Sequence, residues 1–220
     1  MSSLVAASDL AHAAYCPRQL YYARREETRA PPPEVDAIRA LAFEYPTLAD
    51  ASDDELKARP LAVSPAAYRA NVRQLRARDD WDALSNPAAR DVLLTGKDCR
   101  GIAHKLVGDP PVPSLVSPGD PPERGVWEPQ RVRAVALAKA LAWERETDVP
   151  RAIVEYPATG VARTVRLTTS NKAAYHRALR VARELDFVPP RLRDSAKCDG
   201  CSYRTECGVK TRSLKSLLGF

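Results

Sequence analysis

Lys197-Cys198-Asp199-Gly200-Cys201-Ser202-Tyr203-Arg204-Thr205-Glu206-Cys207 puts three cysteines in one short run, spaced x2 and then x5. A free cysteine is ordinarily a small buried hydrophobe, but these alternate with Asp, Gly, Ser and Glu, which core packing would not tolerate. The spacing is that of metal ligands. A thiolate-bound centre usually takes four protein ligands, and the only other cysteines are Cys16 and Cys99. Cys16 lies in Tyr15-Cys16-Pro17-Arg18-Gln19-Leu20-Tyr21-Tyr22, a polar and aromatic knot, whereas Cys99 falls in a segment of strand character. Cys16 is therefore the expected fourth ligand and Cys99 an ordinary buried side chain. Such a centre ties residue 16 to residues 198–207 and constrains the unfolded chain as a long-range disulfide does. Zinc and iron–sulfur centres both accept four thiolates. Zinc usually brings two paired knuckles, so one C-x2-C joined by two lone cysteines leans towards a cluster and leaves the choice open.

The rest of the chain sets the frame. Its 220 residues are 45% hydrophobic and 28% charged, which suits one core with an attached lobe. No stretch approaches the length of a membrane span, and Met1 to Asp9 lacks the basic start and apolar core of a secretory signal. These features predict a soluble, cytoplasmic protein whose thiols bind metal rather than pair with one another. The net charge of +6 is unevenly spread. Residues 34–55 are acidic, and residues 191–220 carry Arg191, Arg193, Lys197, Arg204, Lys210, Arg212 and Lys215. Arginine matches phosphate in a bidentate fashion, so Arg191 and Arg193 are candidate contacts to nucleic acid, against the plainer reading of a solvated basic face.

Local signals give the order of elements. Ser8 is a candidate cap for a helix from Asp9 to Tyr15, and Pro17 opens a second helix to about Arg25, with Cys16 between them. A helix from Glu34 to Phe43 follows the prolines at 31–33, and Ser64-Pro65 starts another. Residues 30–90 thus read as a helical lobe. From Asp91 the pattern turns extended, at Val92 to Leu94, Gly101 to Val107 and Val112 to Val116. The segment from Pro129 to Glu146 reads as a helix apolar on two sides, with Val132, Ala136, Ala140 and Trp143 along one of them. A hairpin over residues 152–167 and a helix capped by Ser170, with Ala174, Ala178, Ala182 and Leu185 as its buried stripe, lead to Pro189-Pro190 and the cysteines. The sum is an α/β core with a helical insertion.

Leu10 to Tyr22, with its Cys-Pro-Arg, and Lys197 to Cys207, with its C-x2-C-x5-C, resemble the two ends of the CRISPR-associated, RecB-like exonucleases of spacer acquisition. That resemblance implies a PD-(D/E)-x-K (restriction-endonuclease-like) core. It also implies a 4Fe-4S cluster held by Cys16, Cys198, Cys201 and Cys207 that joins the N- and C-terminal segments. One domain over residues 1–220 would then carry a helical insertion at 30–90 and a cluster lobe made by 1–29 and 188–220. Implied partners are single-stranded or forked DNA and the CRISPR adaptation proteins, with no membrane.

The middle of the chain departs from that family. Its Gly-x-x-Asp strand falls on Gly101-Ile102-Ala103-His104, so the metal-binding Asp is His104. The next strand should carry a second carboxylate and a lysine, and Pro113-Ser114-Leu115-Val116-Ser117-Pro118-Gly119 offers Leu115 and Ser117 instead. Of the Gln-x-x-x-Tyr that opens the following helix, Gln130 remains and Ala134 replaces the tyrosine. Phosphodiester hydrolysis at such a site needs carboxylates for magnesium or manganese and a lysine to orient water, which leucine and serine cannot supply. His104 could bind a softer metal, but a lone histidine is ordinarily a hydrogen-bonded core residue. The expectation is a non-catalytic member that binds DNA or a partner. Its rival is an active metal-dependent single-stranded DNA exonuclease with a rearranged site, using magnesium or manganese with Asp109, Asp120, Glu123 or Glu128. A zinc-stabilised structural protein is the third reading.

Overall fold

The computed structural model describes residues 4–26, 32–192 and 195–208. The extended runs form one mixed sheet from Ala89–Thr95 (β2), Cys99–Val107 (β3), Val112–Val116 (β4), Arg151–Tyr156 (β5) and Val161–Arg166 (β6). A strand of two residues, Val5–Ala6 (β1), is too short for sequence periodicity to reveal and completes the sheet. β2 runs antiparallel along β3, from Ala89 opposite Leu106 to Thr95 opposite Arg100. The other edge of β3 is shared, with β1 parallel at Cys99 and Arg100 and β4 antiparallel at Lys105 to Val107. β4 pairs parallel with β5, and β5 antiparallel with β6. Parallel neighbours need a crossover, and the helix Glu128–Arg145 (α8) provides it.

α8 is covered on both sides, as its two apolar flanks predict. It packs against the sheet, and against Ala7–Tyr15 (α1) and Thr169–Arg183 (α9). Val132, Ala134 to Ala138, Ala140 and Leu141 are all buried, and small alanines let the layers approach closely. Gly101 shows how closely: a Cβ there would lie 2.6 Å from Ala7 Cβ and 3.2 Å from Leu137 Cδ2. Trp143 departs from its expected place on the buried flank. It is 58% exposed, and Lys97 Nζ stands 5.9 Å from its ring centroid.

Two caps shift. α1 begins at Ala7 straight out of β1, with no side-chain cap, so Ser8 lies inside it. α9 is capped by Thr168, whose hydroxyl accepts from Asn171 N at 3.3 Å, rather than by Ser170. Ser64 caps Pro65–Arg76 (α6) as its sequence predicts, accepting from Ala67 N.

The segment after Pro17–Ala23 (α2) is helical: Pro33–Ala40 (α3), a 3-10 turn at Leu41–Phe43, Tyr45–Asp50 (α4), Asp53–Lys57 (α5), α6 and Trp81–Ser85 (α7). Leu41, Leu48, Leu56, Tyr68 and Val72 give it a small core of its own. Its acidic residues answer arginines within the lobe, Asp50 to Arg76 at 3.0 Å, Glu44 to Arg59 at 3.1 Å, and Asp53 to Arg69. Solvent screens exposed pairs of this kind, and they add little to stability. No helix among the described residues is long and apolar enough to cross a membrane.

Candidate functional site

Cys16 stands alone in extended geometry (φ −163°, ψ 126°) between α1 and α2. Its N–H donates to His12 O at 2.9 Å and its carbonyl accepts from Gln19 N and Leu20 N, so the break between the helices fixes where the thiol emerges. Pro17, with no N–H to satisfy, starts α2 there. At the other end of the chain Cys198 belongs to the short helix Ser195–Asp199 (α10). Successive turns carry the next two cysteines: Cys201 N donates to Cys198 O at 3.3 Å and Cys207 N to Tyr203 O at 2.9 Å.

The two ends are interlocked. Tyr15 donates its hydroxyl to Lys197 O, Arg18 Nη1 donates to Pro189 O at 2.9 Å, and Tyr22 donates its hydroxyl to Glu206 O at 3.2 Å. Tyr22 and Tyr203 stack with centroids 5.9 Å apart. Cys16, Cys198, Cys201 and Cys207 consequently line one pocket, with Arg18, Gln19, Arg191 and Arg204 among the other walls. Gln19 Nε2 stands 3.9 Å from Cys201 Sγ. Gly208 takes φ +66° and a Cβ there would meet the Arg191 guanidinium at 2.7 Å, so glycine lets this arginine lie against the last turn. The open cavity among these walls is narrow, about 20 Å³. Among the described residues no three His, Cys, Asp or Glu side chains close on a point as ligands of a single ion. Cys99 is elsewhere, 2% exposed on β3, bonded through sulfur to Ala136 O at 3.5 Å and approached by the Tyr175 hydroxyl at 3.6 Å.

The second set of sequence candidates also comes together, where β3, β4 and the start of α8 meet. His104 Nδ1 accepts from Val116 N at 2.8 Å, which puts the ring proton on Nε2. Burial, with Arg133, Arg39 and Lys105 nearby, pushes its pKa down to about 3, so the ring is neutral. Leu115 is 2% exposed and belongs to the apolar core. Ser117 accepts from Gln130 Nε2 at 2.7 Å, and Gln130 Oε1 accepts from the Tyr156 hydroxyl at 2.6 Å. Tyr156 thus reaches Gln130 from β5, while Ala134 lies wholly buried in α8. Asp109, Asp120 and Glu123 are exposed, and Glu128 faces Arg177 at 3.9 Å.

Beside His104 lies a pair that sequence reasoning missed. Lys105 Nζ donates to Glu155 Oε2 at 2.8 Å, Ala42 O at 2.6 Å and Leu84 O at 2.9 Å, and both charged side chains are fully buried. Burial pulls the lysine pKa down while Glu155 holds it up. All three ammonium protons are used, and Ser114 donates its hydroxyl to the other carboxylate oxygen. The pair clamps the helical lobe to the sheet and has no route to a phosphodiester. The only sequence signal was a lysine and a glutamate set in the apolar runs Ala103 to Val107 and Ile153 to Tyr156.

No protein-family model matches the chain, and no curated protein matches it. Its function therefore has to be argued from these two clusters and from the basic surface around them. Arg191 is exposed at the edge of the cysteine pocket, and Arg193 lies outside the described residues. A further arginine group, not apparent in sequence, forms at the free edge of the sheet. Arg151 and Arg166 are direct cross-strand partners on β5 and β6, and with Arg78 they line a groove of about 530 Å³. Asp80 binds Arg78 at 2.7 Å and Arg151 at 2.8 Å.

Proposed function

We propose that this protein is an iron–sulfur protein with a nuclease-like core that has exchanged hydrolysis for binding of DNA. The observation that carries the reading is the meeting of Cys16 with Cys198, Cys201 and Cys207 in one pocket, across nearly the whole chain and apart from Cys99. Four thiols that line a common pocket suit a four-thiolate centre, and one C-x2-C joined by two lone cysteines, without the two paired knuckles usual for zinc, leans towards a cluster. The narrowness of the cavity asks the walls to part, and the C-terminal wall is made of turns rather than strands. A bound cluster would cross-link the chain ends and add one-electron redox chemistry. Arg18, Arg191 and Arg204 would offset the charge of its thiolates.

The order helix, three antiparallel strands, crossover helix, parallel strand agrees with the PD-(D/E)-x-K core that the resemblance implies. His104, Leu115 and Ser117 hold the positions of its metal-binding and catalytic groups, and each is committed to a contact that a metal site would have to break. DNA, single-stranded or forked, suits the exposed Arg191 and Arg166, whose cross-strand partner Arg151 is already held by Asp80 at 2.8 Å. CRISPR adaptation proteins follow as partners from the resemblance alone.

Anaerobic purification followed by absorption spectroscopy, metal analysis and a nuclease assay tests this. Brown protein with about four irons per chain and no cleavage of single-stranded or duplex DNA in magnesium or manganese is expected. Colourless protein carrying zinc would select the structural reading. Metal-dependent cleavage abolished by changing Asp109, Asp120, Glu123 or Glu128 would replace the non-hydrolytic one. DNA binding should weaken steeply with salt, and Arg191→Glu or Arg166→Glu should flatten the log–log slope by about 0.7 per lost phosphate contact on a single strand. A slope unchanged by both would point to a protein partner.

A further inference from the structure

His104 opens onto a pocket of about 280 Å³ under α3, walled also by Asp36, Arg39, Ala40, Phe43, Asp91 and Val116. With Nδ1 engaged by Val116, the Nε2–H of His104 is a donor without a partner among the described residues. Arg133 adds a second donor group. It lies three residues beyond Gln130 on α8, hence on the same side of that helix, and Gln130 reaches Ser117, the neighbour of Val116. Its Nε is buried with no hydrogen-bond partner, and no carboxylate among the described residues pairs with it. Burial and the charge of Arg39 lower its pKa to about 10, the mark of a guanidinium short of compensating charge. Arg39 Nε is likewise buried and unpartnered, and its Nη1 reaches Asp36 only at 3.5 Å. The charges that bear on His104 are all positive, while the two carboxylates in the pocket wall, Asp36 and Asp91, are exposed to solvent.

His104 and Arg39 wall the cavity, Arg39 meeting only the exposed Asp36 at 3.5 Å, and the charge of Arg133, itself without a carboxylate partner among the described residues, bears on both. Burying a guanidinium without a counter-charge is costly in the free protein, and an anion entering between Arg39 and Arg133 relieves that cost. We propose that this pocket binds a phosphate monoester, the chemistry of a DNA chain end, through Arg39, Arg133 and the Nε2–H of His104. Planar guanidiniums give phosphate paired hydrogen bonds, and a monoester exposes three oxygens where an internal phosphodiester exposes two. On this view the position that binds a cation in the resembled enzymes has changed sign, and a chain end is held where it would have been cut. Only the assignment of the phosphate to DNA rests on the non-hydrolytic reading above.

The test uses anaerobically purified full-length protein and three probes: inorganic phosphate, a short single strand with a 5′- or 3′-terminal phosphate, and the same strand with hydroxyl ends. Calorimetry should show millimolar binding of inorganic phosphate, and phosphorylated strands should bind at least about tenfold more tightly than hydroxyl-ended ones, a factor worth about 1.4 kcal/mol. Arg39→Gln and Arg133→Gln should each weaken phosphate binding at least about tenfold, with circular dichroism verifying the fold; Arg39→Gln, on the part-exposed α3, is the variant least able to disturb it. Phosphate binding unchanged in both variants, or no phosphate binding, overturns the site. Equal affinity for the two strand ends with phosphate binding intact overturns the chain-end source and leaves a free phosphate ion. Manganese that broadens the His104 resonances while phosphate does not bind would assign the pocket to Asp36 and Asp91 and overturn the proposal. Cleavage of DNA would refute the non-hydrolytic reading separately, whatever the phosphate titration gives.

Discussion

Tyr15 and Lys197 bond to each other twice across the chain: the tyrosine hydroxyl donates to the lysine carbonyl, and lysine Nζ donates to the tyrosine carbonyl at 3.5 Å. Each residue directly precedes a cysteine, Cys16 and Cys198, so this exchange sets the separation of the two thiols. Tyr15→Phe should cost about 1 kcal/mol, the usual net value of one hydrogen bond, and should lower retention of metal on dialysis. Stability and metal content equal to wild type would show that the cysteines find their places without it.

The cysteines should fall into two groups. Cys16→Ser, Cys198→Ser, Cys201→Ser and Cys207→Ser are each expected to lose iron and visible absorption together with thermal stability, because binding energy at such a centre is folding energy. Cys99→Ser should keep its iron and lose only modest stability, since burial holds that thiol protonated and it packs against Ala136 and Tyr175. Loss of iron in Cys99→Ser with full iron in Cys16→Ser would exchange their roles.

Sequence singled out Cys16, Cys198, Cys201 and Cys207, which the fold brings to one pocket, because cysteine spacing is a local property. It reached β3, β4, α8 and the hairpin because apolar runs and turn residues mark them. It missed β1, since two residues carry no period, and α4, α5 and α7, which are five or six residues long, only α5 having a side-chain cap, the Ser52–Glu55 capping box. It placed the cap of α9 at Ser170 because a serine two residues after Thr168 looks equally suitable, and only the backbone direction decides between them. The cross-strand meeting of Arg151 with Arg166, and of Lys105 with Glu155, depends on strand register. No single-residue property contains that register.

Lys105 and Glu155 yield a double-mutant prediction. Lys105→Met removes the cation, leaves the buried Glu155 carboxylate with only the Ser114 hydroxyl as side-chain donor, and takes the ammonium donor from Ala42 O and Leu84 O, a change that typically costs about 3–5 kcal/mol. Glu155→Leu in the same background should restore part of the loss, because two apolar side chains replace two buried charges. Denaturant melts of the two variants give the comparison. A double variant no more stable than Lys105→Met would mean that the lost carbonyl contacts to the helical lobe, rather than the orphaned carboxylate, dominate.

His104 makes acid stability the most specific readout of the core site. Its folded pKa of about 3 lies below the ordinary histidine value of 6.5, so the unfolded chain binds the proton more readily. The contribution is complete above pH 6.5 and is lost as pH falls through the window towards 3, amounting to about 3 kcal/mol by pH 4 on the linkage relation. His104→Gln keeps an acceptor for Val116 N and removes the titration, so its stability should change little between pH 6.5 and 4, where wild type declines steeply. Carboxylates such as Asp80, held low by Arg78 and Arg151 after burial is offset, act mainly below that range, which leaves the window to the histidine. If wild type and His104→Gln lose stability in parallel, the ring is not held neutral by its surroundings, and the bond from Val116 N to Nδ1 does not fix its tautomer.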